Sequence, residues 1–312
     1  MKEITYWVNG AFVPASQALI PINHRGYRMG DSVFDTERTF NGKIFRLEAH
    51  LERLEKSLAY TRIDAGMSMD ELARAAQETM ERNLALLDDY GDFWITQTVS
   101  RGTGPVTDSG PGFVSILVEP LPFARVADCY EHGMPLVTPM VRTSAAGGID
   151  PKVKSTSRMH MVLADQEAKS ADPKALALLL EETGDLAEVL YGNVFVVKNG
   201  RIFTPESRAI LQGVTRATTI ELAQQEGLEI SETRLQPYDL LTADEAFITT
   251  TSYCLLPVAS LNGQSIGSVR PGPITRQLLG AWNRLAGLDI AQQARDYATR
   301  SQGATAAQRM PR

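Results

Sequence analysis

Four Asn-Gly dipeptides restrict what this chain can fold into more than any other feature. Asn9-Gly10, Asn41-Gly42, Asn199-Gly200 and Asn262-Gly263 each separate two apolar or alternating runs. Both residues tolerate the positive φ that the centre of a type I′ turn requires, so each pair predicts a tight antiparallel hairpin. Helical patterns lie between them. In RLEAHLERLEKSLAY, Leu47, Leu51, Leu54 and Leu58 fall at i, i+4, i+7 and i+11, one face of a helix. Residues 71–87 and 215–226 give two further amphipathic helices. Hairpins mixed with helices, without a regular βαβ repeat, predict a mixed α/β (α+β) protein.

The strand-like FVSILVEPL is closed by Pro122, and PFARVADCYEHG follows with weak periodicity. We therefore expect a smaller α/β domain over 1–120, a linker over 121–130, a larger domain over 131–290 and a small, polar tail over 291–312. The 312 residues are enough for two domains with substantial cores. A net charge of -6 without basic blocks argues against binding to a phosphate backbone. No apolar run approaches a membrane span, and MKEITYWVNG lacks the pattern of a signal peptide. Cys129 and Cys254 have no metal-ligand spacing, so a reduced, cytoplasmic setting is expected. His24, His50, His132 and His160 form no HxH or HxxxH pair, and no metal site is expected.

Five features together suggest chemistry, although each has an ordinary reading when taken alone. DPKVKSTSRMHM carries Lys152 and Lys154 ahead of a helix bearing Met159, Val162 and Leu163, with Ser155, Thr156 or Ser157 able to cap it. Loop lysines are ordinarily solvated, and spacing does not choose between these two. Glu188 precedes the hairpin NVFVVKNGRIF; the ordinary reading is an exposed carboxylate. Gly213-Val214-Thr215 opens a helix, so free backbone N–H groups and the positive dipole end can meet a phosphate. Thr249, Thr250 and Thr251 sit at the end of an apolar run, where threonine is also simply a good strand residue. Arg46, His50 and Arg53 share a helix face, ordinarily solvated, which could offer one guanidinium to a phosphate. A lysine, an acid, a helix N-terminus, hydroxyls and an arginine suit pyridoxal 5′-phosphate.

The order of these motifs resembles the class IV aminotransferases, the fold-type IV pyridoxal-phosphate enzymes. The carriers are HRGYRMGDSVFDTERTFNGKIFRLEAHLERL, DPKVK, LAEVLYGNVFVVKNG, ILQGVTR and EAFITTTSYCLLPV, and the likeness runs from about residue 5 to 285. It implies a small N-terminal α/β domain, a larger pseudo-barrel domain with the site in the cleft between them, and a homodimer. It further implies that Lys154, rather than Lys152, forms the Schiff base and afterwards moves the substrate proton. Free lysine, at about 10.4, needs a depressed pKa for that work. By the same likeness Glu188 meets the pyridine nitrogen, Arg53 the phosphate, and Leu211 the ring. Val214, Thr215, Thr250 and Thr251 fall at the remaining phosphate contacts. The family's E-G-x-x-x-N reads Glu188-Val189-Leu190-Tyr191-Gly192-Asn193 here, without its first glycine.

The family includes branched-chain, D-amino acid and (R)-amine transaminases and aminodeoxychorismate lyase. D-alanine-type members trap the substrate carboxylate with an arginine and a histidine after R-G-T; Val106 and Asp108 stand there. Branched-chain members use a tyrosine and an arginine on the preceding strand; Trp94 and Thr96 stand there, and Met159 replaces a tyrosine beyond the lysine. Phe34 and Trp94 match the aromatic lining of amine transaminases in part. Arg28 and Arg38 remain as carboxylate binders, unless they pair with Asp31, Asp35 or Glu37. The expected activity is transamination between an amino donor and a 2-oxo acid such as pyruvate or 2-oxoglutarate. The alternatives are a lyase or a non-catalytic cofactor-binding homologue.

Overall fold

The computed structural model describes residues 3–105, 112–143, 148–208 and 210–307, with side chains to residue 298. Val106 and Asp108 lie outside the described residues. The chain forms two compact units. One comprises the chain up to Pro122 and takes in Val153–Ser157; the other comprises Phe123–Lys152 and Arg158–Ala298.

The first unit contains β1 (Thr5–Val8), β2 (Ala11–Pro14), α1 (Arg25–Met29), β3 (Ser32–Phe40), β4 (Lys43–Ile44), α2 (Leu47–Thr61), α3 (Met69–Asn83), α4 (Leu87–Tyr90), β5 (Phe93–Ser100) and β6 (Phe113–Pro120). Its strands form one six-stranded antiparallel sheet in the order β2-β1-β6-β5-β3-β4. Alternation along the strands turns Val33, Ile95, Val99, Val114, Ile116 and Val118 to one face. There they pack with Leu47, Leu51, Leu54 and Leu58 of α2 and Leu72, Ala76 and Met80 of α3. Ser68 and Glu71 start α3 with a capping box, each side chain satisfying the other's backbone N–H.

The second unit contains α5 (Cys129–His132), β7 (Met134–Val137), α6 (Met159–Ala171), β8 (Leu176–Leu180), β9 (Leu186–Val189), β10 (Gly192–Lys198), β11 (Arg201–Pro205), α7 (Val214–Gln225), β12 (Ile230–Thr233), α8 (Pro237–Leu241), β13 (Glu245–Thr250), β14 (Cys254–Leu261), β15 (Gln264–Ser265), α9 (Pro273–Ala286) and α10 (Ile290–Ala307). The sheet order β10-β13-β14-β7-β8-β9 closes through a β9–β10 pairing, the barrel-like arrangement that the family likeness implied. Pairing is parallel at β7–β14, β7–β8 and β11–β12, and antiparallel elsewhere. Every residue of β13 is buried, as expected of a strand covered on both faces.

All four Asn-Gly pairs make hairpins, with positive φ at both residues each time. Three expectations are corrected. Residues 121–130, expected as linker, bury Leu121, Phe123, Val126, Ala127 and Tyr130. The expected tail is largely α10, with Ala291 and Ala294 buried; its alanines are strong helix formers. The lysine segment, assigned by sequence to the larger domain, packs in the first unit instead. The cause is an open edge: β4 pairs only with Thr39 and Phe40, leaving the start of β3 without a neighbour on that side. Residues 153–156 supply the missing partners. The Phe34 N–H donates to the Lys154 carbonyl at 2.9 Å, and the Thr156 N–H to the Ser32 carbonyl at 3.0 Å.

Candidate active site

In the first unit, Lys154 is held on three sides. Its N–H donates to Ser57 Oγ of α2 at 3.3 Å, its carbonyl takes the Phe34 N–H, and its Nζ lies 4.9 Å from the centre of the Phe34 ring. That last distance is within cation–π range. Lys152 is placed differently. Its Nζ pairs with Asp150 at 3.0 Å and reaches the Arg208 carbonyl at 3.5 Å. The expected cap of α6 is absent. The N-cap position is Arg158, whose side chain makes no cap hydrogen bond, while Thr156 Oγ1 is 2.6 Å from Ser32 Oγ and Ser157 Oγ donates to the Gly30 carbonyl at 3.1 Å. Met159, Val162 and Leu163 are exposed, and α6 buries Met161, Ala164 and Ala168 instead.

The stripe on α2 is not a solvated face. His50 is buried with Nδ1 2.8 Å from Asp35 Oδ1, and Arg53 donates to both Asp35 oxygens, at 2.8 and 2.6 Å. Arg46 falls off the stripe because it is the N-cap, in the left-handed region. Burial alone would raise the Asp35 pKa, but Arg53 and His50 outweigh it and hold the carboxyl far below its ordinary range. Burial pulls the His50 imidazole down, against the upward influence of Asp35. Asp35, Glu37 and His50 form an acid–histidine cluster, and Arg53 supplies the positive charge there.

Phe34, Thr36 and Arg38 face away from this network and stand opposite Thr98, Thr96 and Trp94. Thr36 and Thr96 hydroxyls lie 3.0 Å apart. Arg38 is 2% exposed; its Nε donates to the Thr39 carbonyl at 3.0 Å, and its guanidinium sits 4.0 Å over the Phe40 ring. Asp92, an acid not considered from sequence, lies 3.9 Å from it. Arg28 is exposed and makes no ion pair among the described residues.

In the second unit, Glu188 is buried rather than an exposed loop acid. It pairs in register with Asn193 across the β9–β10 hairpin. Where the family's first glycine would stand, Val189 is buried in β9. Tyr191 takes the positive φ of the turn, and Gly192 is the residue that must lack a Cβ, which would collide with the Thr249 carbonyl. Glu188 Oε2 accepts the Leu211 N–H at 3.1 Å, and the Leu211 carbonyl accepts from Asn193 Nδ2 at 3.1 Å. Leu211 is thus clamped at both its backbone groups. A Cβ on Gly213 would meet Asn193 Oδ1, so the same asparagine also fixes the chain entering α7.

Helix α7 begins at Val214 with Gly213 as N-cap and no side-chain cap, and Thr215 is buried in its first turn. Such a terminus leaves backbone N–H groups for an anion, with about half a unit of positive charge behind them. Thr250 Oγ1 accepts the Tyr253 N–H at 3.1 Å, so its hydroxyl shapes the turn that carries Thr251. Thr249, opposite Asn193 in the sheet, is buried with its hydroxyl unpartnered among the described residues. Each unit brings groups that suit pyridoxal 5′-phosphate: a half-buried lysine in the first, and a buried acid, an uncapped helix start and an orphaned hydroxyl in the second. Sequence reasoning missed Ser57 altogether and saw Asp35 only as a surface partner for an arginine. Strand alternation placing Asp35 with Val33 was the one signal available for its burial.

Comparison with known proteins gives consistent findings. The family profile Amino-transferase class IV matches residues 32–261. A putative branched-chain-amino-acid aminotransferase of Methanocaldococcus jannaschii is 33% identical over 277 residues, 87% of this chain and 93% of that protein. A D-alanine aminotransferase of Bacillus licheniformis is 31% identical over 273 residues, 86% and 93% of the two chains. Among solved structures, the branched-chain amino acid aminotransferase of Escherichia coli has a TM-score of 0.84 at 26% identity, covering 91% of this chain and 95% of that one. The branched-chain enzyme of Thermobaculum terrenum, solved in its PLP-bound holo form, has a TM-score of 0.77 at 26% identity, covering 95% and 97%.

Proposed function

The chain belongs to the class IV aminotransferases and is a pyridoxal 5′-phosphate-dependent transaminase, and from that premise we propose that its donors are α-amino acids. When bound, the cofactor supplies an aldehyde for the amine and a ring that accepts the electron pair released at the α-carbon. Lys154 is the residue we assign to hold it covalently, and then to move the proton between the substrate α-carbon and the cofactor C4′. The observation that carries this is its threefold placement by Ser57, the Phe34 N–H and the Phe34 ring.

Glu188, buried and aligned by the Leu211 N–H, keeps a proton on the ring nitrogen. Leu211 would pack against the ring. The residues assigned to the phosphate are Arg53 in the first unit and, in the second, the start of α7 with Val214, Thr215, Thr250 and Thr251. Arg28 meets the substrate carboxylate, being the substrate arginine that is exposed; Phe34 and Trp94 shape the side-chain pocket. The buried commitment of Arg38 to Asp92 favours a second reading, an (R)-amine donor without a carboxylate. Turnover with a panel of D- and L-amino acids and (R)- and (S)-amines, against pyruvate and 2-oxoglutarate, decides between them. Faster turnover of amines than of any amino acid overturns the first reading.

A homodimer fits the exposed Leu19, Ile20, Ile22, Tyr27 and Met29, an apolar segment of the first unit. A cytoplasmic location fits the two free cysteines, and no helix among the described residues is long and apolar enough to cross a membrane. Light scattering of the purified protein tests the first of these.

A further inference from the structure

One buried acid of the first unit, Glu37, bonds to neither Lys154 nor Arg28, the residues assigned there to the substrate proton and carboxylate. Glu37 lies on the core face of β3, two residues beyond Asp35, and is wholly buried. Gln97 of β5 is equally buried. The register sets Gln97 opposite Asp35 and Ile95 opposite Glu37, so acid and amide are diagonal neighbours on one face. Gln97 Nε2 donates to Glu37 Oε1. The remaining atoms, Glu37 Oε2 and Gln97 Oε1, are both buried without a hydrogen-bond partner among the described residues.

A carboxylate and a carboxamide oxygen can each only accept, so an ionised Glu37 leaves two acceptors unpaired in the core. A carboxylic acid brings the O–H that one of them lacks. The charged and titratable groups facing Glu37 are Asp35 on its own strand and His50 and Arg53 on α2, and β5 faces it with Gln97. Carboxyl and ring atoms of Asp35, Glu37 and His50 lie within 4.8 Å of one another. Arg53 donates to both Asp35 oxygens and His50 Nδ1 lies 2.8 Å from Asp35 Oδ1, so Asp35 is the anion that both of them meet directly. Burial, and then the charge on Asp35, push the Glu37 carboxyl well above its ordinary range, in agreement with this geometry.

We propose that Glu37 is a positioning residue held as a neutral carboxylic acid, its Oε2–H donating to Gln97 Oε1. Asp35 is then the single anion of the cluster, and Arg53 keeps its orientation. An ionised Glu37 would compete for the guanidinium that the proposed function assigns to the cofactor phosphate, so this inference rests on that assignment for its consequence, though not for its chemistry.

The test uses Glu37→Gln, whose amide makes both hydrogen bonds of the neutral acid with Gln97. Infrared spectra of the cofactor-free protein at neutral pH should show a deuterium-sensitive carboxylic-acid C=O band that the variant lacks. A folded pKa raised above the unfolded value, about 4.3, stabilises the fold fully below that value and loses the contribution as pH rises through the folded pKa. Wild-type stability against unfolding should therefore fall toward alkaline pH, and this slope should be missing in Glu37→Gln. Affinity for pyridoxal phosphate at neutral pH should stay within about threefold of wild type, well under the tenfold that 1.4 kcal/mol represents. An unchanged infrared spectrum, or a tenfold loss of cofactor affinity on substitution, overturns the proposal. If the wild type takes up no pyridoxal phosphate, the assignment of Arg53 fails, while the infrared and unfolding data still judge Glu37.

Discussion

Lys154 and Phe34 meet twice: the Phe34 N–H donates to the Lys154 carbonyl at 2.9 Å, and the Lys154 ammonium lies 4.9 Å from the Phe34 ring centre. The first contact makes the lysine part of the sheet edge, and the second aims its side chain along the face shared with Thr36 and Arg38. Lys152 has neither contact. Phe34→Ala should keep the fold but loosen the lysine, lowering turnover roughly tenfold while the protein still binds cofactor. Steady-state kinetics and the absorbance of bound cofactor check this together.

Asp35 anchors Arg53 and His50 from full burial, so Asp35→Asn leaves a cation without its counter-charge. The expected loss is about 3 kcal/mol, read by chemical denaturation at neutral pH. The folded carboxyl pKa is depressed below its unfolded value of about 3.9, so the stabilisation is present above that value and lost as pH falls through the folded pKa. The acid limb of the wild-type stability profile should flatten in the variant.

Glu188→Gln retains an acceptor for the Leu211 N–H but not the charge. Cofactor should still bind, while turnover falls by about a hundredfold, the scale of losing one aligned electrostatic partner. Equal losses in binding and turnover would point to a broken loop instead, which the thermal midpoint would reveal.

Arg28 and Arg38 should separate cleanly. Arg38→Ala strips Asp92 and Phe40 of a buried cation and should cost about 3 kcal/mol in unfolding free energy. Arg28→Ala should leave stability within about 0.5 kcal/mol, as surface changes do, and raise KM for amino acids. An unchanged KM removes Arg28 from the substrate site.

Local chemistry was legible in the sequence, and long-range pairing was not. The four hairpins follow from Asn-Gly backbone preferences, and the α2 face from leucine spacing; both are decided within a few residues. The unit to which Lys154 belongs depends on a β3 edge some 120 residues away, left open because β4 is short. The Arg38–Asp92 pair likewise joins β3 to the residue before β5, so a local search for acids could not find Asp92. Glu188 looked exposed because a loop precedes it, whereas the β9–β10 pairing buries it. In VFDTERTF, strict alternation already put Asp35 and Glu37 on the face of Val33; what it could not supply was α2 above them and Gln97 beside them.

The most direct measurement of the central claim is borohydride reduction of the cofactor-loaded protein followed by peptide mapping. A pyridoxyl group is expected on Lys154, with Lys152 unmodified and with Lys152→Ala labelled as strongly as wild type. A label on Lys152, or one that survives Lys154→Ala undiminished, would contradict it.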